Sequence, residues 1–197
     1  MILSFGIKGY LNDIGWFNSF HSKMPVDQNG APIPWVTYSF IDFIKTRINS
    51  THLIFEFGSG NSTYFYAKHA SKVVSVEHDK LWMEKIDQQK PKNSELVFCE
   101  LTIDGKYCRM PQHYSEKFHL IIVDGRDRVN CCKQCLPALM DDGVVILDDS
   151  ERPLYKEGID FLLENGFKEL TFTGISPGVF IYKATSVFYK PNNCLGV

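Results

Sequence analysis

The chain has 197 residues, which suits one domain large enough to bury a sizeable core. Its hydrophobic content of 44%, charged content of 22% and net charge of −2 are ordinary for a globular protein and argue against a general nucleic-acid binder. No segment has the apolar length of a membrane helix and the N-terminal residues lack a cleavage pattern, so we expect a cytoplasmic protein with reduced cysteines.

Residues 1–50 are expected to form an extension of helices and loops that packs on the core, and residues 51–197 a single globular unit. A short helix is predicted over residues 10–21. Apolar residues recur at helical spacing from about 34 to 48, which predicts an amphipathic helix. Trp35 and Tyr38 lie near its start and are candidates for the wall of a site, although packing of the amphipathic helix is the alternative. Whether the extension covers that site as a lid is left open.

Residues 52–77 have the pattern of one strand–helix–strand unit. The first apolar run delivers Glu56, Gly58 and Gly60, and the second ends at Glu77. Glycines allow a close approach of backbone to ligand, and a carboxylate at the second strand end suits a ribose. The pattern therefore predicts a site for a nucleoside-containing cofactor. Its candidate binding residues are Glu56, Gly58, Ser59, Gly60, Asn61, Ser62, Glu77, His78 and, from a later strand, Asp124.

The rest of the chain continues the alternation of strands and helices. Further strands are predicted over 95–101, 118–124 and 143–148, and helices over 80–89, 129–140 and 155–165. The last two apolar runs, 167–173 and 180–190, are joined by a short loop and must be antiparallel. These features predict an α/β fold with a mostly parallel seven-stranded sheet whose last strand is antiparallel.

The glycine loop and the terminal hairpin together resemble the class I S-adenosylmethionine-dependent methyltransferases. Thr63 stands where a dinucleotide fingerprint has its third glycine, and Glu56 would repel a pyrophosphate. The resemblance implies a Rossmann-like three-layer sandwich with strand order 3-2-1-4-5-7-6. It also implies S-adenosylmethionine as cofactor, with Glu56 on its amino group and Glu77 on its ribose. A dinucleotide-binding oxidoreductase-like domain and a catalytically silent cofactor-binding domain are the alternatives.

Three carboxylates, Asp124, Asp148 and Asp149, end the fourth and fifth strands and are the candidate catalytic residues. Their pattern resembles catechol-type O-methyltransferases, which implies that they hold Mg²⁺ or Mn²⁺. The family usually has Asn at the place of Asp149, so no residue is assigned to a metal. The alternative is that arginines nearby in sequence pair with these acids and order the loops. Those arginines are Arg126, Arg128 and Arg152.

The resemblance implies methyl transfer to a small-molecule acceptor, and oxygen is the favoured methylated atom. Nucleic acid and membrane are not expected as partners, and a homodimer is left open. Cys132 and Cys135 share one stripe of a predicted helix with Leu139, so they are interpreted as buried packing residues rather than as zinc ligands.

Overall fold

A computed structural model of the protein describes residues 8–197. Its centre is one seven-stranded sheet with the order β3-β2-β1-β4-β5-β7-β6. The strands are β1 Leu53–Phe57, β2 Lys72–Glu77, β3 Ser94–Phe98, β4 Phe118–Val123, β5 Leu139–Asp148, β6 Lys168–Ser176 and β7 Val179–Tyr189. The predicted α/β architecture and strand order are confirmed.

The direction of the strands decides where a ligand can bind. β1 pairs in parallel with β2 and β4, and β4 pairs in parallel with β5. β7 runs antiparallel between β5 and β6, as the terminal hairpin predicted. The carboxyl ends of β1, β2, β4 and β5 therefore meet at one edge of the sheet, which is where ligands of open α/β sheets bind.

Helices cover both faces of the sheet. They are α1 Tyr10–Asp13, α2 Trp16–Ser22, α3 Tyr38–Ile44, α4 Asn61–His69, α5 Lys80–Asp87, α6 Lys106–Arg109, α7 Arg128–Gln134 and α8 Lys156–Glu164. Alternate residues along each strand point to opposite faces, so Ile54 and Val73 join the core beneath α3 and α4. Phe55 and Val74 join the second core beneath α6 to α8. This gives the three layers of the predicted sandwich.

The N-terminal extension contributes to the first core rather than lying loosely on it. Val36, Phe40 and Ile44 are almost fully buried there. Trp16 Nε1 donates to the carbonyl of Val179 at 3.3 Å, which joins the extension to β7. None of the helices described in residues 8–197 has the length and apolar character needed to cross a membrane.

Helix boundaries differ from the sequence prediction in the extension. The predicted helix over 10–21 is two helices, because Gly15 adopts a left-handed φ of 77° between them. The helix predicted over 34–48 is confined to Tyr38–Ile44. Pro34 disfavours the helical conformation of Ile33, residues 35–36 form a bend, and the helix begins only after Thr37, its extended N-cap residue.

The region from 102 to 140 also differs. Residues 102–117, for which the sequence predicted no helix or strand, contain α6 and a 3₁₀ turn over Met110–His113. α7 ends at Gln134, a second 3₁₀ turn follows over Leu136–Ala138, and β5 begins at Leu139. Cys132 and Cys135 are fully buried, in agreement with their interpretation as packing residues.

Candidate functional site

A cleft of about 500 Å³ opens at the carboxyl ends of β1, β2 and β4. Seven of the predicted site residues line it: Glu56, Gly58, Ser59, Ser62, Glu77, His78 and Asp124. Gly60 and Asn61 line a neighbouring cavity of about 290 Å³ instead. Asn61 donates its side-chain amide to the carbonyl of Pro25 at 2.7 Å, so this side chain also attaches the extension to α4.

The first glycine of the loop is required by its conformation and its surroundings. Gly58 has a φ of +96°, and a Cβ there would lie 3.3 Å from Cα of Gly125, which follows β4. Its N–H donates to the carbonyl of Val76 at 2.9 Å, which fixes the loop to the end of β2. The close approach of the β1 and β4 ends therefore depends on residues without side chains.

Glu56 is 1% exposed and is held by neutral donors. Its Oε2 accepts the hydroxyls of Thr63 and Ser75, both at 2.7 Å. Burial raises the pKa of Glu56 to about 7, and the hydroxyls of its neighbours oppose that rise. None of the ion pairs within residues 8–197 includes Glu56. A cationic group bound in the cleft would supply the missing positive charge.

Glu77 is 4% exposed and is fixed at both oxygens. Oε1 accepts the backbone N–H of His78 at 2.8 Å and of Asp79 at 3.0 Å, and Oε2 accepts the hydroxyl of Ser59 at 2.9 Å. His78 Nδ1 lies 2.9 Å from Oε1. The carboxylate is therefore positioned before a ligand binds, and Oε2, which accepts a single hydrogen bond, has a second lone pair for a hydroxyl donor.

Trp82 was missed by the sequence analysis. Its Nε1 donates to the carbonyl of Ser59 at 2.8 Å, and its ring lies 3.8 Å from where a Cβ on Gly60 would be. The ring lines both cavities. Asp79 caps α5 by accepting the N–H of Trp82 at 3.0 Å. That capping residue, directly after β2, was the signal that the first turn of the next helix would face the site.

The acidic strand ends are joined by Arg128, a side chain that is 10% exposed. Its guanidinium lies 3.0 Å from Asp124 Oδ1 and 3.3 Å from Asp149 Oδ2, and Nη1 donates to the carbonyl of Asp148 at 2.5 Å. Arg152 also pairs with Asp149, at 3.0 Å. Of the arginines considered from sequence, Arg128 and Arg152 therefore form the expected pairs, and Arg126 forms none within residues 8–197.

A second buried cation, Lys183, comes from β7 and was not foreseen. Its Nζ lies 2.6 Å from Asp148 Oδ2 and 3.0 Å from Asp149 Oδ1, and it donates to the carbonyl of Trp35 at 3.0 Å. The remaining oxygen of Asp148 accepts the hydroxyl of Thr185 at 2.8 Å. Burial raises the pKa of Asp148 well above its usual range, and nearby Asp124 adds to the rise.

This arrangement does not fit the metal that the catechol-type resemblance implies. The oxygens of Asp124, Asp148 and Asp149 face the nitrogens of Arg128 and Lys183. These nitrogens lie where a metal ion would have to lie to be bound by the same oxygens. Within residues 8–197, no group of three or more His, Cys, Asp or Glu side chains could hold a metal ion. We therefore derive no chemistry through a metal at this acidic corner, which is formed by Asp124, Asp148 and Asp149.

The two cavities meet at Asp124, whose side chain is 22% exposed. Burial raises the pKa of Asp124, and the guanidinium of Arg128 opposes the rise. Six residues line both cavities: Trp35, Ser59, Ser62, Trp82, Asp124 and Arg128. The smaller cavity adds Met24 and Pro25 of the extension and Lys183. The site can thus hold two ligands side by side, with a carboxylate where they would touch.

No protein-family model matches this sequence. No curated protein matches it. Solved structures do. An rRNA methylase from Streptococcus thermophilus is 15% identical with a TM-score of 0.56, and the match covers 76% of this chain and 92% of that one. A precorrin-6y C5,15-methyltransferase from Geobacter metallireducens is 11% identical with a TM-score of 0.56, over 77% of this chain and 88% of that one.

A TehB-like SAM-dependent methyltransferase from Corynebacterium glutamicum is 17% identical with a TM-score of 0.55, and the match covers 76% of this chain and 85% of that one. At such identities the likeness establishes the fold, which is the Rossmann-like fold of SAM-dependent methyltransferases. It gives no support to the narrower resemblance to catechol-type O-methyltransferases.

Proposed function

We propose that this protein is an S-adenosylmethionine-dependent methyltransferase that methylates an oxygen atom of a small-molecule acceptor. The observation that carries the proposal is the pair of buried carboxylates in the larger cleft. Glu56 and Glu77 lie beside the Gly58 loop and are held by hydroxyl and amide donors, with no Lys or Arg paired to either within residues 8–197. Such a cleft suits a ligand with a cation and a diol.

The roles of the residues in the larger cleft follow from this geometry. S-adenosylmethionine would supply an electrophilic methyl group on a sulfonium. Glu56 binds the amino group of the methionine part, because its buried carboxylate needs a counterion. Glu77 accepts hydrogen bonds from the ribose hydroxyls. His78 and Trp82 line the same cleft and provide flat surfaces for the adenine.

The smaller cavity is the proposed acceptor site. Its volume of about 290 Å³ is at the lower end of the range for small-molecule sites and supports a small acceptor over a folded RNA. The net charge of −2 agrees with that choice. Asp124 faces both cavities, so its carboxylate takes the proton that the acceptor hydroxyl loses during transfer. Asp148 and Asp149 act through Arg128 and Lys183 and hold Asp124 in place.

The dinucleotide alternative is disfavoured by the same charges. Glu56 and Asp124 both line the cleft beside Gly58, where a pyrophosphate would have to lie close to two carboxylates. A catalytically silent cofactor-binding domain predicts cofactor binding without turnover. It is tested by the formation of S-adenosylhomocysteine from S-adenosylmethionine in the presence of mixtures of small hydroxylated acceptors.

The first test is calorimetric binding of S-adenosylhomocysteine to the wild type and to Glu77→Gln. The substitution keeps the shape and removes the charge, so we expect binding to weaken by about 30- to 100-fold, as for the loss of charge-assisted hydrogen bonds. Glu164→Gln at the exposed end of α8 is the matched control and should bind as the wild type does. Unchanged affinity in Glu77→Gln would remove Glu77 from its role.

A further inference from the structure

A third cavity, of about 330 Å³, lies between the loops that follow β4 and β5. Three arginines line it, Arg126, Arg128 and Arg152, together with Tyr155. Arg126 and Arg128 also line the larger cleft, so this cavity adjoins the proposed site of methyl transfer. It lies on the α7 and α8 side of the sheet, whereas the smaller acceptor cavity lies on the side of the N-terminal extension.

One residue that lines this cavity, Asp127, carries a carboxylate, and that carboxylate is hydrogen-bonded to neighbouring residues. Asp127 accepts the N–H of Asp104 at 2.9 Å through one oxygen. Its other oxygen accepts the side-chain amide of Asn130 at 2.7 Å. Both oxygens of Asp127 therefore face groups of α7 and of the preceding loop, and Asp127 forms no ion pair with an arginine within residues 8–197.

The three arginines differ in how many ion pairs and hydrogen bonds their guanidinium groups form within residues 8–197. Arg128 is bound to the aspartates of the acidic corner, and Arg152 is half-exposed and contacts Asp149 at 3.0 Å. The guanidinium of Arg126 makes no ion pair and no side-chain hydrogen bond with any residue from 8 to 197. An arginine fork presents donors in the geometry that a phosphate or carboxylate accepts in pairs.

We infer that Arg126 and Arg152 bind a small anionic ligand through its phosphate or carboxylate group. This anion site is separate from the smaller cavity that is proposed for the methyl acceptor, and it rests only on the residues of the third cavity. The apolar body of Tyr155, whose ring lies 5.2 Å from the guanidinium carbon of Arg128, forms a wall against which the rest of such a ligand would lie. The ligand class is therefore a small compound with a phosphate or carboxylate group next to an apolar body.

The test uses inorganic phosphate and acetate as separate probes, each titrated into the full-length protein with and without S-adenosylhomocysteine. The side-chain Nε–H signals of arginine are followed by NMR. We expect a saturable shift of the Arg126 signal, and the stronger probe identifies the preferred anion. Arg126→Gln should weaken binding of that probe by about ten-fold or more, and Arg126→Lys by less.

Arg47→Gln is the matched control, because Arg47 packs over Phe43 in the extension, away from the cavity. It should bind the probe as the wild type does, and Arg152→Gln should weaken binding by a few-fold. Equal binding by Arg126→Gln and Arg47→Gln, or no saturable binding of either probe, overturns the inference. The proposed function fails separately, through a lack of S-adenosylhomocysteine binding to the wild type.

Discussion

The two halves of the site hold their carboxylates in opposite ways. At the ends of β1 and β2, Glu56 and Glu77 are held by hydroxyls and backbone N–H groups. At the ends of β4 and β5, three aspartates are held by Arg128 and Lys183. Within residues 8–197 the first half has no Lys or Arg paired with its carboxylates, and in the second half two cations neutralise most of the negative charge.

This difference indicates which carboxylates are suited to bind a cationic ligand and which have a structural role. A buried carboxylate without a cation is costly, and a cationic ligand can remove that cost on binding. A carboxylate already paired with buried cations gains little from another one. The proposed cofactor site therefore belongs to the β1 and β2 half, and in the same proposal the other two aspartates support Asp124, whose side chain is more exposed than theirs.

The largest expected effect comes from removing a cation at the ends of β4 and β5, where the carboxylates are neutralised. Arg128→Met leaves buried aspartates with one cation fewer, so we expect the free energy of unfolding to fall by about 3–5 kcal/mol. Urea unfolding followed by circular dichroism measures it. The loss should shrink at low pH, because protonated aspartates no longer need the guanidinium.

Arg152→Met is the control for the neutralised half. This side chain is 48% exposed and also contacts Asp149, so its removal should cost no more than about 1 kcal/mol. Equal losses in the two variants would show that burial of the guanidinium does not decide the effect.

The second prediction concerns Glu56, in the half whose carboxylates have no Lys or Arg partner within residues 8–197. The pKa of Glu56 is raised from 4.5 to about 7, so the folded protein keeps a proton that the unfolded chain releases. Stability is therefore lost as the pH rises from about 4.5 to about 7. Glu56→Gln removes that loss and should be more stable than the wild type by up to about 3 kcal/mol at pH 8. At pH 4 the two proteins should unfold alike.

The same variant separates the two carboxylates by ligand. Glu56→Gln should weaken binding of S-adenosylhomocysteine by about ten-fold or more but leave adenosine binding unchanged, because adenosine has no methionine amino group. Glu77→Gln should weaken binding of both ligands. Calorimetry with the two ligands distinguishes these patterns, and a shared loss of adenosine binding would contradict the role of Glu56.

The meeting of the β1 and β2 ends at one cleft was predictable because the residues involved follow one another along the chain. Glu56, Gly58 and Glu77 belong to a single strand–helix–strand unit, and parallel pairing of β1 with β2 brings both strand ends to one place. The glycine spacing and the two apolar runs were therefore sufficient. The antiparallel hairpin was likewise predictable from its short connection, whereas the strand order was implied by the family resemblance.

The acidic corner was predicted only in part because its cations depend on tertiary register. Arg128 is four residues from Asp124 and could be suspected from sequence. Lys183 reaches the corner because β7 pairs with β5 so that Thr185 lies opposite Asp148. No local pattern specifies that register, and the place of Trp35 beside Lys183 depends on it too. Hence the sequence left metal binding and ion pairing as open alternatives.

The smallest expected effect is that of Trp82→Phe, which tests whether the Trp82 side chain supports the glycine loop. The phenyl ring keeps most of the wall of the cleft but loses the hydrogen bond from Nε1 to the carbonyl of Ser59. One such bond contributes about 1 kcal/mol, so S-adenosylhomocysteine should bind about five-fold more weakly. Leu81→Ala, at a neighbouring residue that is 79% exposed, should leave binding unchanged. If Trp82→Phe binds S-adenosylhomocysteine as tightly as the wild type does, the positions of Glu77 and Ser59 are fixed by the end of β2 alone. Helix α5 would then contribute to binding only through the ring that lines the cleft.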